Sequence, residues 1–240
     1  MRVTLFIPTY NEIEGVKAIM PQVKREWVDE IIFVDKSTDG TKEWLLQNGY
    51  TVIDQKRIGT LGAWWDGFDA ATGDVIIPFS PDGNSIPEAI PQLIAKMKEG
   101  DYDMVIASRY RGPAKSENDN WLTAFGNKFF TKLINFLYGG HYTDSLGMYR
   151  AWKKDLLTRL HFTDKTGMEF NSRGAGMFEP ILSIRAAKHK IKVSEIAAEE
   201  PDDIGKTDSR AHPGLKNRIR SGALMLYHIF KERFVPKSIA

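Results

Sequence analysis

A carboxylate and a carboxamide stand two residues apart where an apolar run of the sequence ends. The run DVIIPF, Asp74–Phe79, is followed by the loop Ser80–Asn84, which contains Asp82. Oxygen ligands of this kind suit Mg²⁺ or Mn²⁺, which leave coordination positions for phosphate oxygens and water. A β-turn without any ligand would have the same composition. The predicted strands and helices around the loop are therefore needed to choose between a metal site and a β-turn without a ligand.

Short apolar runs alternate with amphipathic stretches in the first half of the chain. The apolar runs predict strands at Val3–Pro8, Glu30–Asp35, Tyr50–Asp54, Asp74–Phe79 and Asp103–Ser108. Helical spacing predicts helices at Glu12–Trp27, Thr41–Gln47, Leu61–Ala71 and Pro87–Lys98. Strands separated by helices indicate βαβ units. The expected fold class is therefore α/β, with a mostly parallel sheet flanked by helices.

The second half of the chain has a less regular pattern. Helices are predicted at Trp121–Tyr138, Phe178–Lys188 and Leu215–Phe234, and a strand at Ile191–Ile196. The segment Asp144–Trp152 is mixed, and the polar stretch Glu199–Gly214 is rich in Asp, Gly and Pro, which predicts a mobile loop. We expect one domain over residues 1–212, followed by a basic amphipathic helix and tail over residues 213–240.

Polar residues follow the predicted strands at their carboxyl ends. They form the segments Thr9–Glu12, Asp35–Thr41, Ser80–Asn84 and Arg109–Arg111. One such segment is explained by turn formation and helix capping. In a parallel sheet, however, all these ends meet at one edge, where α/β proteins bind ligands. Four polar strand ends therefore favour a binding cleft.

Composition limits the class of protein. The 240 residues are 42% hydrophobic and 27% charged with a net charge of +2, which is typical of a globular protein and gives no sign of a nucleic-acid partner. The absence of cysteine excludes disulfides and thiolate chemistry. No apolar stretch approaches the roughly 20 residues of a spanning helix, and the N-terminus does not read as a signal peptide. We expect a cytoplasmic protein, either soluble or peripheral on the cytoplasmic face of the membrane.

Seven segments together carry a resemblance to a known family. IPTYNE (Ile7–Glu12), VDKSTDGT (Val34–Thr41), GTLGAWWDGFDAATGD (Gly59–Asp74) and SPDGNSIPE (Ser80–Glu88) occur in the order seen in family 2 glycosyltransferases, which have the GT-A fold. ASRYRG (Ala107–Gly112), GNKFFTKLINFLYG (Gly126–Gly139) and TDSLGMYRAWKKDLL (Thr143–Leu157) are similar to the branch that contains dolichyl- and polyprenyl-phosphate sugar transferases. The resemblance covers Met1–Ile196, and the ordered set is more specific than any single motif.

The resemblance implies an inverting transferase that uses a nucleotide-diphosphate sugar as donor. The donor-binding positions that it implies are Pro8, Tyr10, Glu12, Asp35, Lys36, Gly62 and Asp82. Asp82 matches the second Asp of the family's Asp-x-Asp motif, and Asn84 matches a further polar ligand position. The implied cofactor is Mg²⁺ or Mn²⁺ on Asp82 and Asn84, which would stabilise charge on the departing diphosphate.

Two residues depart from the family pattern. Ser80 stands where the first Asp of the motif is usual, which removes one charge from the metal site. Lys36 stands where a second Asp often follows Asp35, and it would contact a phosphate or ribose, or pair with Asp35 or Asp39. The two changes leave open an altered donor or a diverged protein.

The acceptor side is implied by the segment Thr143–Arg150, which matches the family's Asp-x-x-x-Gly-x-Arg pattern. A hydroxyl acceptor needs a base, whereas a phosphate acceptor needs positioning and charge screening. Asp144 is the predicted catalytic residue beside Asp82, as a base or a positioning group; the alternative is a turn-capping Asp. Phosphate or acceptor contacts are predicted for Arg109, Arg150, Lys206 and Arg210, with salt bridges as the alternative for the first two.

Three functions are compatible with these features. The first is sugar transfer to a polyprenyl phosphate, with the basic amphipathic helix Leu215–Phe234 either lying on a membrane surface or docked on the domain. The second is transfer to a glycan or glycolipid hydroxyl, for which Asp144 would have to be a true base. The third is a non-catalytic nucleotide-sugar-binding subunit that works with a membrane-protein partner, as Ser80 and Lys36 suggest.

Overall fold

The computed structural model describes residues 1–117, 119–162, 177–204 and 215–235. The strands are β1 Val3–Thr9, β2 Glu30–Asp35, β3 Thr51–Asp54, β4 Val75–Pro78, β5 Met104–Ser108, β6 Arg150–Lys153 and β7 Val193–Ala197. The α-helices are α1 Ile13–Ile19, α2 Thr41–Gln47, α3 Gly59–Ala70, α4 Ala89–Gly100, α5 Trp121–Tyr138, α6 Leu156–Arg159, α7 Phe178–Lys188 and α8 Leu215–Phe234. The strands form one sheet in the order β3-β2-β1-β4-β6-β5-β7.

The predicted α/β architecture is confirmed, with two differences from the predicted elements. The predicted helix Glu12–Trp27 ends at Ile19 and continues as 3₁₀ turns at Met20–Gln22 and Arg25–Trp27, because Pro21 has no N–H to continue the α-helical hydrogen bonds. The mixed segment Asp144–Trp152 leads into β6, which pairs antiparallel with β4 and β5.

The sheet is buried on both faces. Along β1, Phe6 points to one core, with Trp64 and Trp152, and its neighbours point to the other, with Phe33. This alternation follows from the two-residue period of a strand. Trp64 stacks on Trp152 at 6.4 Å between ring centroids. The two cores hold the strands in fixed positions, so their ends form a rigid edge.

All strands except β6 run in the same direction. The parallel pairs are β1 with β2 and β4, β2 with β3, and β5 with β7. Because β6 is antiparallel, the residues just before Arg150 lie at the edge where β1, β2, β4 and β5 end. The polar strand ends therefore converge at one edge, as predicted.

The last helix packs against its neighbours. Arg185 of α7 donates to both carboxylate oxygens of Glu232 in α8, at 2.9 and 3.1 Å. The Tyr138 hydroxyl of α5 donates to the carbonyl of Ile229. α8 is therefore docked on the domain along one side. Among the described helices, none combines the length and the apolar character that crossing a membrane requires.

Candidate functional site

A cavity of about 180 Å³ opens at the carboxyl edge of the sheet. Its walls come from the loop after β4, the end of β5, the segment before β6 and the segment after β7. The lining residues include Ser80, Asp82, Asn84, Ala107, Arg109, Gly147, Met148, Tyr149, Glu199 and Glu200. The structure thus brings together Asp82, Asn84 and Arg109, which the sequence had assigned to a site.

The loop after β4 presents Asp82 and Asn84 to this cavity. The backbone N–H of Asn84 donates to Asp82 Oδ1 at 3.3 Å, and its side-chain amide donates to Asp82 Oδ2 at 3.3 Å. The same amide nitrogen donates to Asp203 Oδ1 at 3.1 Å. Two carboxylates therefore face one amide group. The position of Asp203 was not predicted, because only tertiary contact distinguishes it from the other acids of the Glu199–Gly214 stretch.

The donor set fits a hard divalent cation in part. Within the described residues, no group of three or more His, Asp or Glu side chains is arranged to hold a metal ion. Asp82 and Asp203 would supply two carboxylates, and Asn84 would supply an amide oxygen once its amide, whose nitrogen faces the two acids, turns over. Such a partial oxygen shell suits Mg²⁺ or Mn²⁺, which keep water and substrate phosphate as further ligands.

Close backbone contacts fix this loop. Gly83 has φ 97°, and a Cβ there would lie 2.7 Å from Ile204 Cγ1. The Ile204 N–H donates to the carbonyl of Asp82 at 2.5 Å. On the other side, a Cβ on Gly15 would lie 2.5 Å from the carbonyl oxygen of Pro81. The segment after β7 therefore rests directly on the loop, which is how Asp203 reaches it.

The loops after β1 and β2 form a hydrogen-bonded wall beside the cavity. Asn11 has φ 55°, and its side-chain oxygen accepts from the Thr38 N–H at 2.8 Å. The Ile13 N–H donates to Asp39 Oδ2 at 3.2 Å. Glu12, half-buried, donates its N–H to Thr41 Oγ1. These cross-links hold the implied donor pocket in one conformation.

The implied donor residues differ in accessibility. Asp35 is 2% exposed, and its carboxylate accepts from Thr9 Oγ1 at 2.7 Å and from the Ser37 hydroxyl and N–H at 2.6 and 2.9 Å. It therefore braces the wall from inside. Tyr10 and Lys36 are exposed at its rim.

Three further details complete the donor side. Lys36 forms no ion pair with Asp35 or Asp39 in the part of the chain that the structure describes, so that proposed pairing is wrong. Pro8 is half-buried and lies in the β1–β2 pairing. Gly62 is buried, and a Cβ there would lie 2.6 Å from the carbonyl carbon of Arg57. The absence of a side chain at Gly62 therefore allows α3 to pack closely against the preceding loop.

Asp144 lies beside the cavity but is fully buried. Arg109 donates from Nε to Oδ2 at 2.7 Å and from Nη2 to Oδ1 at 3.1 Å. The N–H groups of Leu146 and Gly147 donate to Oδ1 at 3.2 and 3.0 Å. Burial by itself raises the pKa of Asp144, but the guanidinium and these hydrogen bonds hold that pKa below its ordinary value.

These contacts contradict a general-base role for Asp144. An inaccessible carboxylate with a lowered pKa and five donors does not take a proton from an acceptor. The turn-capping alternative describes the bonds to Leu146 and Gly147. The pair with Arg109 makes Asp144 a positioning residue, because Arg109 lines the cavity. Glu200 holds Arg109 from the other side at 3.3 Å.

Arg150 contradicts its predicted role as a phosphate contact. It is fully buried at the start of β6. Its guanidinium donates to the carbonyl of Gly147 at 2.9 Å from Nε and to Ser183 Oγ at 3.1 Å from Nη1. Arg150 therefore ties the segment before β6 to α7. Lys206 and Arg210, also predicted at the acceptor side, lie outside the described residues.

Solved structures share this architecture. Glucosyl-3-phosphoglycerate synthase from Mycobacterium tuberculosis, in complex with Mn²⁺, UDP and phosphoglyceric acid, superimposes with a TM-score of 0.66 at 20% identity, over 95% of this chain and 78% of that one. The same enzyme with Mg²⁺ and UDP gives a TM-score of 0.67. The likeness supports the GT-A fold implied by the resemblance.

Residues 4–160 match Glycosyl transferase family 2, and the chain belongs to that family. Among similar curated proteins, the low-salt glycan biosynthesis hexosyltransferase Agl6 of Haloferax volcanii is 30% identical over 70% of this chain and 42% of its own length. The undecaprenyl-phosphate 4-deoxy-4-formamido-L-arabinose transferase of Proteus mirabilis is 25% identical over 82% of this chain and 60% of its own length. The chain thus spans about half the length of the curated relatives it matches.

Proposed function

We propose that this protein transfers a sugar, with inversion, from a nucleotide-diphosphate sugar to a polyprenyl phosphate, assisted by Mg²⁺ or Mn²⁺. One observation carries the proposal: Asp82 with Asn84 and the cation of Arg109 line the same cavity. One wall offers ligands for the cation of a diphosphate, and the other offers a guanidinium for an acceptor phosphate. The names of the relatives, an undecaprenyl-phosphate transferase among them, support the acceptor class.

On the donor side, Asp82, Asn84 and Asp203 would hold the metal ion. When bound, the metal supplies positive charge to the diphosphate that leaves. The wall formed by the loops after β1 and β2 would hold the nucleoside, with Tyr10 and Lys36 at its rim. Its hydrogen bonds exist before the donor arrives, so little conformational entropy is lost on binding.

On the acceptor side, the chemistry requires no base. The acceptor phosphate oxygen is already anionic, so it attacks the anomeric carbon without losing a proton. The bond from that carbon to the diphosphate oxygen breaks, and the nucleoside diphosphate leaves with the electron pair. Arg109, held by Asp144, would orient the attacking phosphate, which would take the place of Glu200 at the longer 3.3 Å contact on Nη1.

Transfer to a hydroxyl acceptor is the second candidate, and Glu199 favours it. Glu199 lines the cavity with an exposed side chain, so it is placed to act as a general base in place of the buried Asp144. Glu199→Gln separates the candidates. With a phosphate acceptor the variant should keep its rate, whereas with a hydroxyl acceptor the rate should fall about 10²-fold or more.

Sugar transfer by the purified chain tests the proposal. Calorimetry with UDP, GDP, dTDP, CDP and ADP, with and without Mn²⁺, first identifies the nucleotide. The matching nucleotide sugar is then incubated with a short-chain polyprenyl phosphate in detergent, and the glycolipid is detected by mass spectrometry. Metal-dependent product is the expected result. Nucleotide binding without any turnover would overturn the proposal and support the non-catalytic subunit.

A further inference from the structure

Helix α5 carries an exposed stripe of unusual composition. The stripe consists of Trp121, Phe125, Lys128, Phe129, Lys132 and Phe136, all of them exposed. With 3.6 residues per turn, these six positions fall within an arc of about 100°, and no other α5 residue falls in that arc. Trp121 and Phe136 are 80% and 84% exposed. Large aromatic side chains in such a row are uncommon on a surface that faces only water.

The charges on this stripe all have one sign. α5 contains no Asp or Glu, and Lys128 and Lys132 form no salt bridge in the described part of the chain. Lys128 Nζ lies 5.5 Å from the ring centroid of Tyr110, the neighbouring aromatic residue. Aromatic rings with interspersed lysines and no acid fit the headgroup region of a bilayer that contains anionic lipids. We propose that the α5 stripe docks the protein on an anionic lipid surface.

The neighbouring helix extends the same chemistry. Arg218 of α8 donates from Nη1 to Thr123 Oγ1 of α5 at 2.8 Å, so the two helices lie side by side. α8 exposes Ile219, Tyr227, Phe230 and Phe234. Its one acid, Glu232, is buried against Arg185 of α7. The exposed part of α8 is therefore apolar and basic as well.

Two α5 residues outside the stripe support the segment that lines the cavity. Thr131 and Ser145 share a hydroxyl hydrogen bond of 3.0 Å, and Asn135 Nδ2 donates to the carbonyl of Tyr142 at 2.8 Å. The segment they hold continues to Gly147 and Tyr149, which line the cavity. A docked α5 would therefore bring the cavity close to lipid headgroups. The lipid surface deepens the proposed function and depends on it for the identity of the acceptor.

Co-sedimentation with vesicles tests the surface. We expect the full chain to bind vesicles of equal phosphatidylglycerol and phosphatidylcholine more tightly than phosphatidylcholine vesicles. Lys128→Gln with Lys132→Gln should lower binding to the anionic vesicles about 25-fold, at about fivefold per lysine. Phe125→Ser with Phe129→Ser should lower binding about tenfold or more, because two apolar groups no longer insert.

Matched controls keep the outcome unambiguous. Lys24→Gln with Lys98→Gln removes the same charge from exposed positions elsewhere, and Leu46→Ser removes an exposed apolar side chain. Equal binding to both vesicle types, or stripe variants that bind no worse than these controls, would overturn the lipid surface. A dimer, measured by light scattering, that the Phe variants dissociate and the other variants do not would also overturn the lipid surface. Folding of every variant is checked by circular dichroism.

A second readout separates this proposal from the proposed function. Each stripe variant is assayed for nucleotide binding and for transfer to a short-chain polyprenyl phosphate in detergent, neither of which requires a bilayer. Loss of vesicle binding with retained transfer is the expected result for the stripe variants. A wild-type chain that transfers sugar but binds no vesicle would overturn the surface alone. A chain that binds vesicles but transfers nothing would overturn the proposed function alone.

Discussion

Two aspartates at the same edge of the sheet, Asp82 and Asp144, have very different surroundings. Asp144 is fully buried and receives a bidentate pair from Arg109 with bonds of 2.7 and 3.1 Å. Asp82 is only partly buried, and its bonds from Asn84 are 3.3 Å long. Longer hydrogen bonds are weaker, so a cation would replace them at small cost. One carboxylate is built to hold a neighbouring cation of the protein, and the other lines the cavity and is held by Asn84 through longer bonds.

Among the variants that distinguish Asp144 from Asp82, Asp144→Asn should have the largest effect, and that effect should be on the free energy of unfolding. Removing one partner of a buried ion pair leaves the other charge uncompensated and costs about 3 kcal/mol or more of stability. Urea unfolding at neutral pH measures the loss. Asp69→Asn is the control, because it breaks a pair of Arg57 whose acid is 56% exposed and should cost less than about 1 kcal/mol. Equal losses in the two variants would show that the buried pair with Arg109 stabilises the fold no more than an exposed pair does.

The same pair predicts how stability depends on pH. Because the folded pKa of Asp144 lies below its ordinary value, the unfolded chain takes up the proton first as the pH falls. The contribution of Asp144 is therefore complete well above the ordinary Asp pKa of about 3.9, and it is lost as the pH falls through the lower folded value. Urea midpoints of the wild type should fall more steeply in acid than those of Asp144→Asn. Parallel curves would contradict this.

Asp82→Asn should affect activity rather than stability. A neutral amide at this position weakens the charge stabilisation of the leaving diphosphate, which we expect to lower the transfer rate about a hundredfold. The thermal unfolding midpoint should stay near that of the wild type, since Asp82 is only partly buried. Rate and midpoint are measured on the same preparation. A stable variant with a normal rate would remove Asp82 from the site and reverse the contrast with Asp144.

The features around Asp82 and Asp144 that depend on local sequence pattern could be predicted. Strand ends and helix faces follow from residue periodicity, so the edge and its polar loops could be placed. Burial of a particular polar side chain depends on tertiary contacts that no pattern shows. Asp144 and Arg150 were therefore given roles that need an accessible side chain, and both side chains are buried. β6 was missed because it is only four residues long, RAWK, and its antiparallel partners are distant in sequence.

Asp203→Asn tests the residue that sequence pattern could not find. Asn84 and Asp203 are 119 residues apart in sequence and meet only because the segment after β7 rests on Gly83. If Asp203 contributes to the metal shell, its amide variant should bind Mn²⁺ about tenfold more weakly. Mn²⁺ affinity is followed by electron paramagnetic resonance without donor or acceptor. Asp202→Asn, at the exposed neighbouring acid, is the control and should leave the affinity unchanged.

Ser80→Asp should have the smallest effect, and it should strengthen Mn²⁺ binding, whereas Asp203→Asn should weaken it. Ser80 lines the cavity at the position where an acid is usual in the family, so a carboxylate there adds a charged oxygen ligand and should tighten Mn²⁺ binding about fivefold. Without metal, the new charge would face Asp82 across the loop and lower stability, so added Mn²⁺ should raise the unfolding midpoint more than in the wild type. Ser80→Asn adds similar bulk without charge and should do neither. If both variants bind Mn²⁺ alike, charge at this loop does not set the affinity. In that case the contrast between Asp82 at the cavity and the buried Asp144 would rest on burial alone.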